Sequence, residues 1–149
     1  MATSFSKDVI ADGARGRGEN IVLALLAGLV AAALGAGIWM AVEVGLNMKI
    51  GIVAIGVGAL VGFAIRFAGN GHSFIYGIIG AVFTLGGCLA GEILATLYAA
   101  SSAQQPLLAL AQTIDYPQMV STIFTKMDPM GYVIYGIGVF EGYKLSIVK

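Results

Sequence analysis

Few side chains in this sequence can do chemistry, and those few are spread thinly through apolar surroundings. Cys88 is the one cysteine and His72 the one histidine. Glu92, Arg66, Glu141 and Lys144 are charges set within hydrophobic segments, where each costs free energy unless it faces protein or water. Glu92 follows Gly86-Gly87-Cys88-Leu89-Ala90-Gly91 and so has the small neighbours that an ion- or proton-carrying carboxylate needs. Arg66 and Glu141 can pair between helices, while Glu141 and Lys144 are spaced to pair along one helix. A buried pair of this kind fixes which helices are neighbours more than it adds stability. A lone cysteine supports neither a disulfide framework nor a thiolate metal site and reads as a small packing residue. His72 has a haem or pigment as its conceivable ligand, but a single histidine among loop glycines ordinarily meets only solvent. No His, Asp, Ser or Cys set converges for acid–base or nucleophilic work, so the chain reads as non-enzymatic, with no cofactor and no metal.

Four apolar stretches, at about 21–42, 50–68, 74–99 and 130–148, must position these residues. A bilayer core about 30 Å thick needs roughly 20 helical residues. The first stretch runs from Ile21 to Val42 without a charge. That exceeds a signal-peptide core, so the segment reads as a true span. Hydrophobic residues make up 58 % of the chain and charged residues 11 %, against about 25 % charged in a soluble domain. A single small domain cannot hide that much apolar surface in its own core. The fold expected is therefore all-α: a four-transmembrane-helix bundle at 21–149 behind a polar leader at 1–20. Glu92 lies about five helical turns on from Phe74, or roughly 27 Å along the axis. That sets it level with Glu43 and Lys49 at one end. Arg66, Glu141 and Lys144 fall toward the other end. This leaves an apolar middle, which argues against a mid-membrane ion carrier. The tyrosines and Trp39 fall mostly near span ends, as an aromatic belt requires.

With four spans, the leader, the 69–73 turn and the C-terminal end share one side. That side holds Lys7, Arg15, Arg17, Arg66, Lys144 and Lys149, six of the eight basic residues, which places it in the cytoplasm. A net charge of zero argues against a nucleic-acid partner. The leader's Arg15 and Arg17 can touch anionic lipid or a partner, and otherwise simply set topology. Gly69-Asn70-Gly71-His72 is a turn signal. In the 100–129 loop, Leu107, Leu110, Ala111 and Ile114 share one helical face, and so do Val120, Ile123, Phe124 and Met127. These read as short amphipathic helices at the membrane surface or as a docking surface.

Small residues recur at four-residue intervals: Ala24, Gly28, Ala32 and Ala36, then Ala54, Gly58 and Gly62, then Gly138 and Gly142. Such ridges let helix backbones approach closely, either inside one bundle or against another subunit. Gly56 and Gly58 begin a nucleotide-binding glycine pattern only superficially, because the strand and βαβ unit it requires are missing.

The run Ala54-Ile55-Gly56-Val57-Gly58-Ala59-Leu60-Val61-Gly62-Phe63-Ala64-Ile65-Arg66 resembles the central signature of a group of uncharacterised bacterial four-span inner-membrane proteins. The ending Ile134-Tyr135-Gly136-Ile137-Gly138-Val139-Phe140-Glu141-Gly142-Tyr143-Lys144 is similar to the closing segment of the same group. The resemblance implies a bacterial inner-membrane location and a four-helix fold, without an established activity. Some members carry a zinc-ribbon-like extension, for which this chain lacks the cysteines. The function expected is that of a non-catalytic accessory or structural subunit. It would pack on other integral membrane subunits, on copies of itself and on lipid, through the glycine faces and the 100–129 loop. The alternative is a homo-oligomeric channel or small transporter using Glu92, Arg66 and Glu141.

Overall fold

The computed structural model describes residues 19–47, 51–101 and 106–149. Apart from Glu19 and Asn20, the polar leader lies outside the described residues, as does Lys49. Helix accounts for 86 % of the described residues and strand for none, so the fold is all-α. There are six helices among these residues: α1 (Ile21–Leu46), α2 (Ile52–Gly69), α3 (Phe74–Ala100), α4 (Leu107–Thr113), α5 (Tyr116–Lys126) and α6 (Pro129–Ser146).

Local chemistry sets the helix ends. The Asn20 side-chain oxygen accepts hydrogen bonds from the Val22 and Leu23 amides, both at 3.1 Å. It so satisfies two of the free donors at the start of α1. Asp115 caps α5 and Asp128 caps α6 by accepting from the Gln118 and Gly131 amides, and each helix carries a proline in its first turn. A proline there loses no hydrogen bond, because the amide it replaces would be unpaired anyway. Past the last residues of α1 and α2 the chain turns through Asn47 (φ 51°) and Asn70 (φ 47°) in the left-handed conformation. Asparagine tolerates that region better than other residues with a Cβ. In the 69–72 turn the left-handed position thus belongs to Asn70 and not to either flanking glycine. α1 runs on to Leu46, past its expected end at 42.

α1 packs on α2 and α3, and α6 packs on the same two helices from the other side. Around the perimeter the order is α1, α2, α6, α3, with α2 and α3 also touching across the diagonal. α1 and α6 lie on the other diagonal, with no close backbone approach between them among the described residues. α4 and α5 lean on one end of α3, and the Tyr132 hydroxyl of α6 donates to the Phe124 carbonyl of α5. The opposite end is laced. The Asn20 amide donates to the Gly69 carbonyl at 2.8 Å and the Val148 amide to the Gly71 carbonyl at 2.9 Å. The segments beside α1 and α6 are thereby both tied to the α2–α3 turn.

Side-chain size is sorted the reverse of a water-soluble bundle. α1 turns Ala24, Gly28, Ala31, Ala32, Gly35 and Ala36 inward and leaves Leu26, Leu29 and Leu34 between 55 % and 58 % exposed. With apolar residues on every side there is little pressure to put the large ones inside, and close backbone packing selects the small ones. Three helices, α1, α2 and α3, are long and apolar enough to cross a membrane, and only 33–39 % of their most apolar windows is buried. α6 has the length of α2, but Glu141, Lys144 and three tyrosines dilute its apolar content.

Candidate functional site

The small-residue ridges face inward, within the chain. Gly28, Ala32, Gly58, Gly62, Gly138 and Gly142 are all buried. A Cβ on Gly28 would stand 2.7 Å from the Phe83 ring, and one on Gly62 would stand 2.6 Å from the Leu145 Cβ. Gly58 meets the backbone of Gly138, and Gly142 meets Thr84 and the Gly80 carbonyl. These contacts draw α6 against α2 and α3 at backbone range. The glycines with open space over them, among the described residues, are others: Gly37, Gly45, Gly56, Gly86 and Gly136.

The charges toward the laced end do not pair as their spacing allows. Among the described residues Arg66 and Glu141 form no ion pair, and neither do Glu141 and Lys144. Register explains the first: α2 and α6 run parallel, with Gly58 against Gly138 and Gly62 level with the Glu141 and Gly142 carbonyls. Arg66, a helical turn beyond Gly62, therefore stands past Glu141. Lys144 instead holds its ammonium 5.9 Å over the Phe140 ring. His72 is engaged through its backbone amide, which donates to Glu19 Oε1 at 2.9 Å, with its Nδ1 at 3.6 Å from the same oxygen. Cys88 is buried in the core with Val57, Val61 and Ile65. No three of His, Cys, Asp and Glu converge among the described residues.

Glu92 is different, because it lies beside a cavity of about 880 Å³ at the α5 end of the bundle. Trp39 of α1, Glu92 and Thr96 of α3, and Ile134 and Tyr135 of α6 line its floor, and α5 with its flanking residues forms the roof. Glu92 is only 7 % exposed. The Trp39 and Tyr135 rings meet edge to face at 5.6 Å between centroids, and Trp39 Nε1 donates to Glu43 Oε2 at 3.1 Å. The Tyr135 hydroxyl is buried without a hydrogen-bond partner. Glu92 thus sits among aromatic rings and polar groups from three helices.

The sequence singles out Glu92 but reads Trp39 and Tyr135 only as belt aromatics. Depth is the signal that could have joined them. Trp39 and Glu92 lie late in α1 and α3, two helices that run parallel, while Tyr135 lies early in the antiparallel α6, so all three reach one level. The roof leaves no such trace, because the placement of 114–128 over the bundle end depends on contacts remote in sequence.

The fold and this cavity define an all-helical protein with three helices suited to a membrane and a partly polar chamber at one end. Comparison with family models, curated proteins and solved structures finds no match.

Proposed function

We propose that this chain is a four-span integral protein of a bacterial inner membrane, related to the four-span group it resembles, and a non-catalytic accessory subunit of a larger membrane complex. The observation that carries the reading is the sorting of side chains by size: small residues hold the bundle together and large apolar ones face outward. Membership of α6 in the same layer is supported by its packing on α2 and α3 and by its exposed Met130, Val133, Ile137 and Phe140. The laced end, richer in Lys and Arg, is the cytoplasmic one, with both termini on that side. Outward-facing Gly37, Gly56, Gly86 and Gly136 give neighbouring membrane helices places for close approach. Extraction in a gentle detergent tests the reading: other polypeptides should co-purify in stoichiometric amounts, and recovery of the chain alone or as a homo-oligomer would sink it.

A homo-oligomeric channel or small transporter is the second reading, favoured by the cavity beside Glu92. Val61, Ile65, Thr84 and Cys88 fill the bundle interior, so a path that also uses Arg66 and Glu141 would run between copies. Flux in liposomes that is absent, or unchanged by Glu92→Gln, excludes it.

A further inference from the structure

We propose that the chamber at the α5 end binds an organic cation with an apolar body, of the aryl- or alkyl-phosphonium or ammonium class. Its volume is about 880 Å³, which suits a drug-sized molecule, for which pockets run to roughly 300–1,000 Å³. Trp39 and Tyr135 are among the lining residues, and aromatic rings attract cations held within about 6 Å of their faces. Glu92, 7 % exposed, lies beside them in the same lining. Among the described lining residues three bear carboxyl groups, Glu92, Asp115 and Asp128, against the single ammonium of Lys126. Asp115 and Asp128 each accept from an amide of the helix they cap, which anchors both carboxyl groups. Met119, Met127 and Met130 add polarizable, adaptable walls of the kind that accept varied apolar shapes. The chamber belongs to one chain, so the proposal stands whether or not subunit partners exist.

Trp39 is the one tryptophan of the chain, so its fluorescence reports directly on the chamber. The full chain in detergent micelles, titrated with tetraphenylphosphonium, should show a saturable change. Uncharged tetraphenylmethane, which carries the same four aryl arms and no hydrogen-bonding group, should not. Glu92→Gln should weaken the cation by about tenfold or more. Asp115→Asn preserves the helix cap while removing a charge, and should weaken it by a few-fold. Glu19→Gln, at the laced end, should leave binding unchanged. No saturable response to the cation, an equal response to the uncharged probe, or equal weakening by Glu19→Gln overturns the proposal. If Glu92→Gln does not fold, the Asp115→Asn titration and the two-probe comparison on the unmodified chain decide it.

Discussion

Gly136 and Gly138 lie on the same helix but on opposite sides of the packing problem. A Cβ at Gly138 would stand 2.6 Å from the Ala54 carbonyl oxygen and 2.9 Å from its carbon, whereas one at Gly136 would meet nothing within 4 Å. Ordinary van der Waals separation requires α6 to retreat from α2 by roughly 0.8 Å in Gly138→Ala. The obstacle is a backbone carbonyl in the first turn of α2, which cannot rotate aside like a side chain. Overpacking of this kind costs about 1–3 kcal/mol, while replacing glycine by alanine within a helix returns about 1 kcal/mol. Gly138→Ala is therefore expected to be destabilising by up to about 2 kcal/mol, and Gly136→Ala neutral or stabilising by up to about 1 kcal/mol. Reversible unfolding in mixed micelles, followed by the fluorescence of Trp39, measures both. Equal effects of the two substitutions, in either direction, would refute the assignment of Gly138 to a backbone contact and with it the register of α2 against α6.

The Tyr135 hydroxyl is buried and has no partner. Tyr135→Phe should therefore stabilise the unliganded fold by about 1 kcal/mol in the same unfolding assay. At the α2–α3 turn, Asn70 is held in the left-handed region at φ 47°. Asn70→Val forces a β-branched residue into it and should cost about 1–2 kcal/mol, while Asn70→Gly should cost little. Asn20 caps α1 through the Val22 and Leu23 amides. Asn20→Ala should cost about 0.5–2 kcal/mol, with faster hydrogen exchange at both amides. Unchanged exchange there would remove Asn20 from the capping role.

Much of the helical framework was legible because it rests on local chemistry. The uncharged run from Ile21 to Val42 and the Gly69-Asn70-Gly71-His72 turn are each written in one continuous stretch of sequence. Partner choice is a different kind of information. The ridge of Gly58 and Gly62 is as compatible with a neighbouring subunit as with α6, and only three-dimensional register shows Gly58 against Gly138. The same register defeats the Arg66–Glu141 pairing that charge and approximate depth favour. At the chamber, Glu92 is conspicuous as a carboxylate in an apolar stretch, whereas Trp39 and Tyr135 acquire meaning only once α1, α3 and α6 bring them to one level. The roof is harder still, since amphipathic α5 would suit a lipid surface as well as the end of its own bundle.

The lacing at one end divides the molecule mechanically. Asn20 and Val148 each donate to the α2–α3 turn, and Glu19 adds its bond to the His72 amide, so the entry to α1 and the exit from α6 are held at a common point. At the chamber end α5 is joined to α6 by the Tyr132–Phe124 contact, and the Trp39 and Tyr135 rings join α1 to α6. The two ends therefore differ in kind, with backbone ties at one and side-chain packing at the other. A probe pair at Glu19 and Val148 should keep a constant separation, while one across α5 and α3 reports how far the roof yields when a guest enters the chamber.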